Sequence, residues 1–216
     1  MDFSSVDAEL AVTLLLLLLI GLGPKIALVP FLEKTKKMTP AHQREIGQRM
    51  VKTAVVTALI LFASGALLMR LLHITTGAVA VGGGIILALI AVKMASGPAE
   101  DPHEDLEIRI DPKKIAIYPL AIPYLLNPVG VTILIIASGS VEDAKGAALV
   151  VALILAVGAF DWVVFSNIDK LSKRLNPASL VISEVVFGIL LTAVAVQLVV
   201  TGLGSLGIID AQSGHP

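Results

Sequence analysis

The stretch PLAIPYLLNPVG, residues 119–130, decides the fold because it places three prolines and an asparagine in an otherwise apolar run. A proline inside a helix removes a backbone donor and clashes with the carbonyl four residues earlier, which costs about 3 kcal/mol. The polar amide of Asn127 adds a further cost in apolar surroundings. Membranes tolerate broken backbone only where it is buried in protein or lines a cavity. The stretch therefore predicts an interrupted membrane helix.

The composition is that of an all-α polytopic membrane protein. Of the 216 residues, 56% are hydrophobic and 15% are charged. The formal net charge of −1 gives no indication of nucleic-acid binding, and the absence of Cys excludes disulfides and thiolate metal sites. The four His residues are scattered, and no Ser/His/Asp arrangement is visible. We therefore expect no metal, no cofactor and no enzymatic activity.

Six apolar stretches are long enough to cross a hydrocarbon core as helices. They are placed near 8–32, 51–72, 75–95, 115–138, 146–168 and 178–203. The expected organisation is a first three-helix repeat (1–97), a polar cytoplasmic loop (98–114), a second repeat (115–204) and a short extracytoplasmic tail (205–216).

The distribution of positive charge predicts the orientation. Thirteen of the 16 basic residues fall on one side: Lys34, Lys36, Lys37, Arg44, Arg49, Lys52, Lys93, Arg109, Lys113, Lys114, Lys170, Lys173 and Arg174. Short cytoplasmic loops carry an excess of Lys and Arg. We therefore expect a multi-pass cell-membrane protein with both termini extracytoplasmic.

An internal repeat relates the two halves of the chain. GIILALIAVKM (84–94) aligns with GILLTAVAVQL (188–198) at an offset of 104, and the same offset places Gly23-Pro24 over Asn127-Pro128. Because each copy holds three spans, the second copy enters the membrane from the opposite side. The two halves are then inverted repeats, as in many secondary transporters.

The interrupted first and fourth spans are the candidate binding site. In inverted-repeat transporters, the site lies where broken helices from each half meet, because freed amides attract carboxylates and freed carbonyls attract cations. The candidate substrate-binding residues are Gly23, Pro24, Asn127, Pro128 and Gly130. The alternative is that the prolines only kink packed helices and Asn127 caps freed backbone. Pro119 and Pro123 have no counterparts in the first half, and we expect them to shape the cytoplasmic entrance of the fourth span.

Three charged residues fall inside spans: Lys25, Asp161 and Glu184. Ionisable groups within membrane segments are costly and are often functional. Their similar depth predicts a cluster of one cation and two carboxylates, with one carboxylate holding a proton. Such a cluster either couples transport to protons or sodium, or is a structural salt bridge, or snorkels toward the interface.

Four glycines are assigned to helix packing near the site: Gly82, Gly83, Gly84 and Gly188. Glycine lets membrane helices approach closely. This interpretation is favoured over direct substrate contact.

Several motifs resemble the MarC family, whose characterised members include small neutral amino acid transporters. PLAIPYLLNPVG looks like the PLAIP…GPG signature of the family, and VGGGIILALIAVKM is similar to its AGGxLLxLIAxxM pattern. FLEKTKKMTPAHQR and FGILLTAVAVQLVVTGL resemble the family's first loop and last helix. The chain departs from the family pattern at Gly23, where a polar residue is expected, and at Val185, where an arginine is expected.

The resemblance implies a secondary transporter of a small solute, with glycine or alanine as first candidates. Its expected partners are that solute, a proton or sodium ion, and the lipid bilayer. Two other interpretations remain open at the sequence level. One is export or flipping of a lipid or hydrophobic compound, and the other is a non-transporting membrane scaffold.

Overall fold

The computed structural model describes residues 8–96, 112–141, 143–172 and 177–209. The described residues form helices joined by short turns. The elements are α1 (Ala8–Leu22), α2 (Pro24–Thr35), α3 (Pro40–Leu72), α4 (Thr76–Ala95), α5 (Pro112–Ile115), the Pro-rich segment (Ala116–Leu125), α6 (Pro128–Ser140), α7 (Ala144–Ser166), α8 (Ile168–Ser172) and α9 (Pro177–Ser205).

Five helical stretches are long and apolar enough to cross a membrane. They are Ala11–Thr35, Pro40–Leu72, Thr76–Ala95, Ala144–Ser166 and Val185–Ser205. The Pro-rich segment and α6 provide a sixth crossing if they are counted together, and they are bent by 71° at their junction. The all-helical prediction is thus confirmed for the described residues, which contain five candidate spans, or six with the broken fourth span.

The second span differs most from its predicted bounds. We expected it near 51–72, whereas α3 begins at Pro40. Thr39 is the N-cap, and its side chain accepts a hydrogen bond from the His42 amide. Proline is favoured at the first helical position, so Thr39-Pro40 starts the helix inside the charged loop.

The helices α4 and α9 form a tightly packed antiparallel pair. A Cβ added at Gly84 would lie 2.8 Å from the Ala195 carbonyl oxygen, and one at Gly188 would lie 2.9 Å from that of Ala91. The 104-residue offset relates Gly84 to Gly188 and Ala91 to Ala195. Each of the two contacts is therefore the repeat counterpart of the other. The packing is therefore compatible with an inverted repeat.

The remaining spans pack around a buried apolar core. α3 contacts α6, α7 and the Pro-rich segment, while α1 contacts α6 and α7. The predicted loop 98–114 and tail 205–216 lie largely outside the described residues. The arrangement places the ends of α1 and the Pro-rich segment together in the interior.

Candidate functional site

The first break separates α1 from α2 at Gly23. Pro24 occupies the first position of α2 and has no N–H to donate to the Ile20 carbonyl. Gly23 is the N-cap, with an extended backbone of φ −84° and ψ 163°. The sequence Gly23-Pro24 therefore ends one helix and starts the next, and it leaves a carbonyl of α1 free to bind elsewhere.

The second break lies between the Pro-rich segment and α6. Leu126 has an extended backbone, and its amide donates to the Ala121 carbonyl at 2.8 Å. Asn127 is the N-cap of α6, and Pro128 takes the first helical position. Both breaks thus share one construction, with the cap residue followed by proline.

Pro119 and Pro123 lie within the Pro-rich segment. Each follows a residue with extended backbone, Tyr118 and Ile122, and both peptide bonds are cis. Extended backbone therefore interrupts the segment at two points. Its backbone leads from α5 to the break at Leu126.

The two breaks meet through Asn127. Its side-chain Nδ2 donates to the Ile20 carbonyl at 2.6 Å, and its backbone amide donates to the Gly21 carbonyl at 2.9 Å. Its Oδ1 accepts from the amides of Val129 at 2.9 Å and Gly130 at 3.2 Å. Asn127 thus both caps α6 and binds the carbonyl that Pro24 leaves without a helical partner.

Backbone contact between Gly21 and Gly130 completes this meeting point. A Cβ added at either glycine would collide with the backbone of the other. Glycine is required here because only a residue without a side chain permits that approach. We call Ile20–Pro24 together with Leu126–Gly130 the break junction.

The residues of the break junction are buried, except for the exposed Ile20 side chain and the half-buried Pro24. Leu22 and Leu126 are 0% exposed, and Asn127 is 1% exposed. All five predicted substrate-binding residues lie in this junction: Gly23, Pro24, Asn127, Pro128 and Gly130. Their convergence places backbone from both halves at one point, and the side-chain amide of Asn127 makes three hydrogen bonds to backbone there.

Two residues of the junction were missed by sequence reasoning. Gly21 and Ile20 precede the Gly23-Pro24 break, and neither was singled out. The one available signal was a small residue close to a proline break. Nothing in the sequence indicated that the Ile20 carbonyl would bind an amide 107 residues later.

The predicted charge cluster is not assembled as an ion pair between Lys25 and Asp161. Lys25 is exposed, and its ammonium lies 5.2 Å from the centroid of the Phe187 ring. Asp161 is 0% exposed, and neither carboxylate oxygen has a hydrogen-bond partner among the described residues. The side chain of Glu184 lies outside the described residues.

The four packing glycines behave differently from one another. Gly84 and Gly188 lie in the α4–α9 contact, whereas a Cβ at Gly83 would collide with the hydroxyl of Thr132 on α6. A Cβ at Gly82 would meet nothing within 4 Å. Close packing therefore requires glycine at three of these positions but not at Gly82.

A shallow cavity of about 420 Å³ lies away from the junction. It is lined by Ala66, Met69, Arg70, His73, Ile74, Thr75, Thr76 and Gly139. Gly139 is near the end of α6 opposite Asn127, so this cavity is separate from the break junction. Within the described ranges, no three His, Cys, Asp or Glu residues are grouped to hold a metal ion.

Comparison with known proteins places the chain in a family. Residues 8–206 match the family described as MarC family integral membrane protein. The chain is 31% identical over 175 residues to the "UPF0056 membrane protein" of Aquifex aeolicus, covering 78% of this chain and 82% of that protein. It is 29% identical over 193 residues to the "UPF0056 inner membrane protein YhgN" of Escherichia coli, covering 89% and 94% of the two chains. No solved structure matches the chain. Because the family match extends over nearly the whole sequence, this multi-pass membrane protein belongs to the MarC family.

Proposed function

We propose that this protein is a secondary transporter of a small solute, with small neutral amino acids such as glycine and alanine as first candidates. The observation that carries the proposal is the break junction, where an interrupted span from each half meets in the interior through Asn127, Ile20 and Gly21. Secondary transporters with inverted repeats bind substrate at such meeting points. Membership of an integral membrane protein family is consistent with this role.

The chemistry of the junction favours a small zwitterion. Ile20 and Gly21 offer carbonyl oxygens that suit an ammonium group, and they are occupied by Asn127 in the closed junction. The N-terminus of α2 suits a carboxylate, since Gly23 supplies no side-chain cap there and Lys25 follows Pro24. If the two breaks separated, the hydrogen bonds from Asn127 to these carbonyls would be replaced by hydrogen bonds from the substrate.

The close approach of Gly21 and Gly130 favours a substrate with few atoms. The two backbones touch in the closed junction, so a modest separation admits only a small molecule. Glycine and alanine match that limit, whereas larger neutral amino acids require a wider opening. Uptake should therefore fall as the side chain grows from glycine to leucine.

The test is counterflow of labelled glycine in proteoliposomes made with the purified protein. We expect exchange above protein-free vesicles, competition by alanine, and weaker competition by leucine. The matched variant Gly130→Val, which introduces a side chain into the Gly21 contact, should fold less well or lose exchange, while Gly82→Val should retain it.

Other outcomes would overturn the assignment. Movement of labelled lipid between leaflets without amino acid exchange would favour a flippase. Absence of both activities in folded, reconstituted protein would favour a membrane scaffold.

We also propose that both termini face away from the cytoplasm, in the cytoplasmic membrane of the cell. The support is the excess of Lys and Arg in the loops on the opposite side. Because the chain has no Cys, single cysteines introduced near residues 36 and 75 can be labelled individually with a membrane-impermeant reagent. Labelling from outside at residue 36 would contradict this orientation.

A further inference from the structure

The contact between α3 and α7 contains a buried acid that the break junction does not use. Asp161 lies on the face of α7 that also holds Gly158 and Phe165, one turn to either side. It is 0% exposed, and both of its oxygens lack a hydrogen-bond partner among the described residues. An ionised carboxylate in such surroundings is strongly unfavourable unless something neutralises it.

The surroundings of Asp161 are closely packed. On one side, a Cβ at Gly47 would lie 2.9 Å from the Cβ of Phe165, and the Phe165 ring packs on Phe31 at 5.1 Å between centroids. On the other side, Gly158 touches the side chain of Val55. These contacts flank Asp161 along the helix and leave it between apolar walls.

The charged side chains of α3 are all exposed: Arg44, Glu45, Arg49, Lys52 and Arg70. Lys52 of α3 is exposed, with its ammonium 5.4 Å from the centroid of the Trp162 ring, and Lys25 of α2 lies over Phe187. Residues 11–22 of α1 contain no ionisable group. The charged residues of α8, Asp169 and Lys170, lie two or more turns further along the chain.

We propose that Asp161 is the proton-binding residue of this transporter, loading and releasing one proton as the break junction opens and closes. This inference rests on the proposed transport function and assigns its coupling ion. The carboxyl group of Asp161 is protonated while it is buried between α3 and α7. It releases the proton when those helices separate and water reaches it. Only one O–H bond forms and breaks, so no further reactant is needed.

The geometry favours a proton over sodium. Hard cations bind several oxygen ligands at once, whereas the contacts that flank Asp161 between α3 and α7 are made by glycine, valine and phenylalanine. One polar pair on this contact is Gln48 with Ser166, where Gln48 Nε2 donates to Ser166 Oγ at 3.2 Å. This pair lies toward the end of α7, five residues beyond Asp161.

The decisive variant is Asp161→Asn, because a neutral amide resembles the protonated acid but cannot release a proton. Asp143→Asn is the matched control, since Asp143 caps the other end of α7 and asparagine caps equally well. Asp161→Leu removes the carboxyl group while keeping the number and branching of the side-chain heavy atoms, and it gives the same prediction. Folding of each variant is monitored through the fluorescence of Trp162, the only tryptophan.

The transport measurement uses proteoliposomes with a gradient of one pH unit and the membrane potential clamped at zero. One proton per substrate then permits about tenfold accumulation of glycine, the factor that corresponds to one pH unit. We expect wild type and Asp143→Asn to approach that limit, and Asp161→Asn to equilibrate without accumulation while it still exchanges glycine. Replacement of Na⁺ by choline should change nothing.

Failure of this inference is distinguishable from failure of the transport function. Absence of glycine exchange in wild type would remove the transport function. Exchange in wild type together with tenfold accumulation by Asp161→Asn, or accumulation that requires Na⁺, would overturn the assignment of Asp161. Infrared spectra give a test independent of substrate, because the carbonyl band of a protonated carboxylic acid should be lost in Asp161→Asn and retained in Asp143→Asn.

Discussion

Replacing Asn127 with alanine should weaken the contact between the two interrupted spans. The substitution removes three hydrogen bonds made by the side chain, two accepted from α6 amides and one donated to the Ile20 carbonyl. The backbone bond from the Asn127 amide to the Gly21 carbonyl is retained. The change therefore isolates what the side chain contributes to the break junction.

The magnitude is the sum of two losses. Loss of an N-cap side chain costs about 0.5–2 kcal/mol. Loss of the single side-chain hydrogen bond to α1 adds about 0.6 kcal/mol, the average for such bonds between membrane helices. We expect the free energy of unfolding to fall by about 2 kcal/mol.

The assay is denaturant unfolding of the purified protein in detergent, followed through Trp162 fluorescence. Asn127→Ser is an informative partner variant, because serine still caps α6 but is too short to reach the Ile20 carbonyl. We expect it to lose less than Asn127→Ala. Asn167→Ala is the matched control, since Asn167 Nδ2 donates to the Val163 carbonyl at 2.8 Å in an exposed position.

One result would refute the reasoning. Suppose that the free energies of unfolding of Asn127→Ala and Asn167→Ala both lie within about 0.5 kcal/mol of the wild-type value. The Asn127 side chain then does not hold the two spans together. Glycine exchange should decline in Asn127→Ala while membrane insertion persists. Normal exchange by this variant would remove Asn127 from the candidate site.

Three further substitutions follow from the same structure. Gly83→Ala should cost about 1–3 kcal/mol, because its Cβ collides with the buried hydroxyl of Thr132, and the double variant with Thr132→Ala should recover most of that loss. Gly82→Ala should be neutral or slightly stabilising, and equal melting of the two alanine variants would contradict this account. Lys25→Met should raise the KM for glycine while leaving the unfolding midpoint nearly unchanged, since an exposed cation–π contact contributes only about 0.5–1 kcal/mol. Retention of the wild-type KM would exclude Lys25 from substrate binding.

The spans could be predicted from the sequence because hydrophobic length alone identifies them. The breaks could also be predicted, since proline removes a backbone donor wherever it falls in a helix. At Gly23-Pro24 and Asn127-Pro128 this local rule was sufficient. Local rules also explain the one large boundary error, because Thr39-Pro40 is a helix start that hydropathy does not detect.

The relation between Lys25 and Asp161 could not be predicted in the same way. Counting residues along a helix gives depth in the membrane but not the direction in which a side chain points. The direction is usually read from an apolar stripe, and α7 is apolar on nearly every face. Equal depth therefore suggested a cluster, whereas the structure directs Lys25 toward Phe187 and buries Asp161 in the interior.

The two breaks occupy matched positions in the repeat but differ in chemistry, and this difference gives Asn127 a particular role. Glycine occupies the cap position of α2, and asparagine occupies that of α6. Only the second half can therefore supply a side chain that reaches across the junction, and it binds the Ile20 carbonyl freed by Pro24 in the first half. Two identical caps would each satisfy only their own helix. Because the single asparagine both caps its own helix and binds the opposite one, we expect loss of Asn127 to destabilise the closed junction selectively, without a comparable effect on the α4–α9 pair.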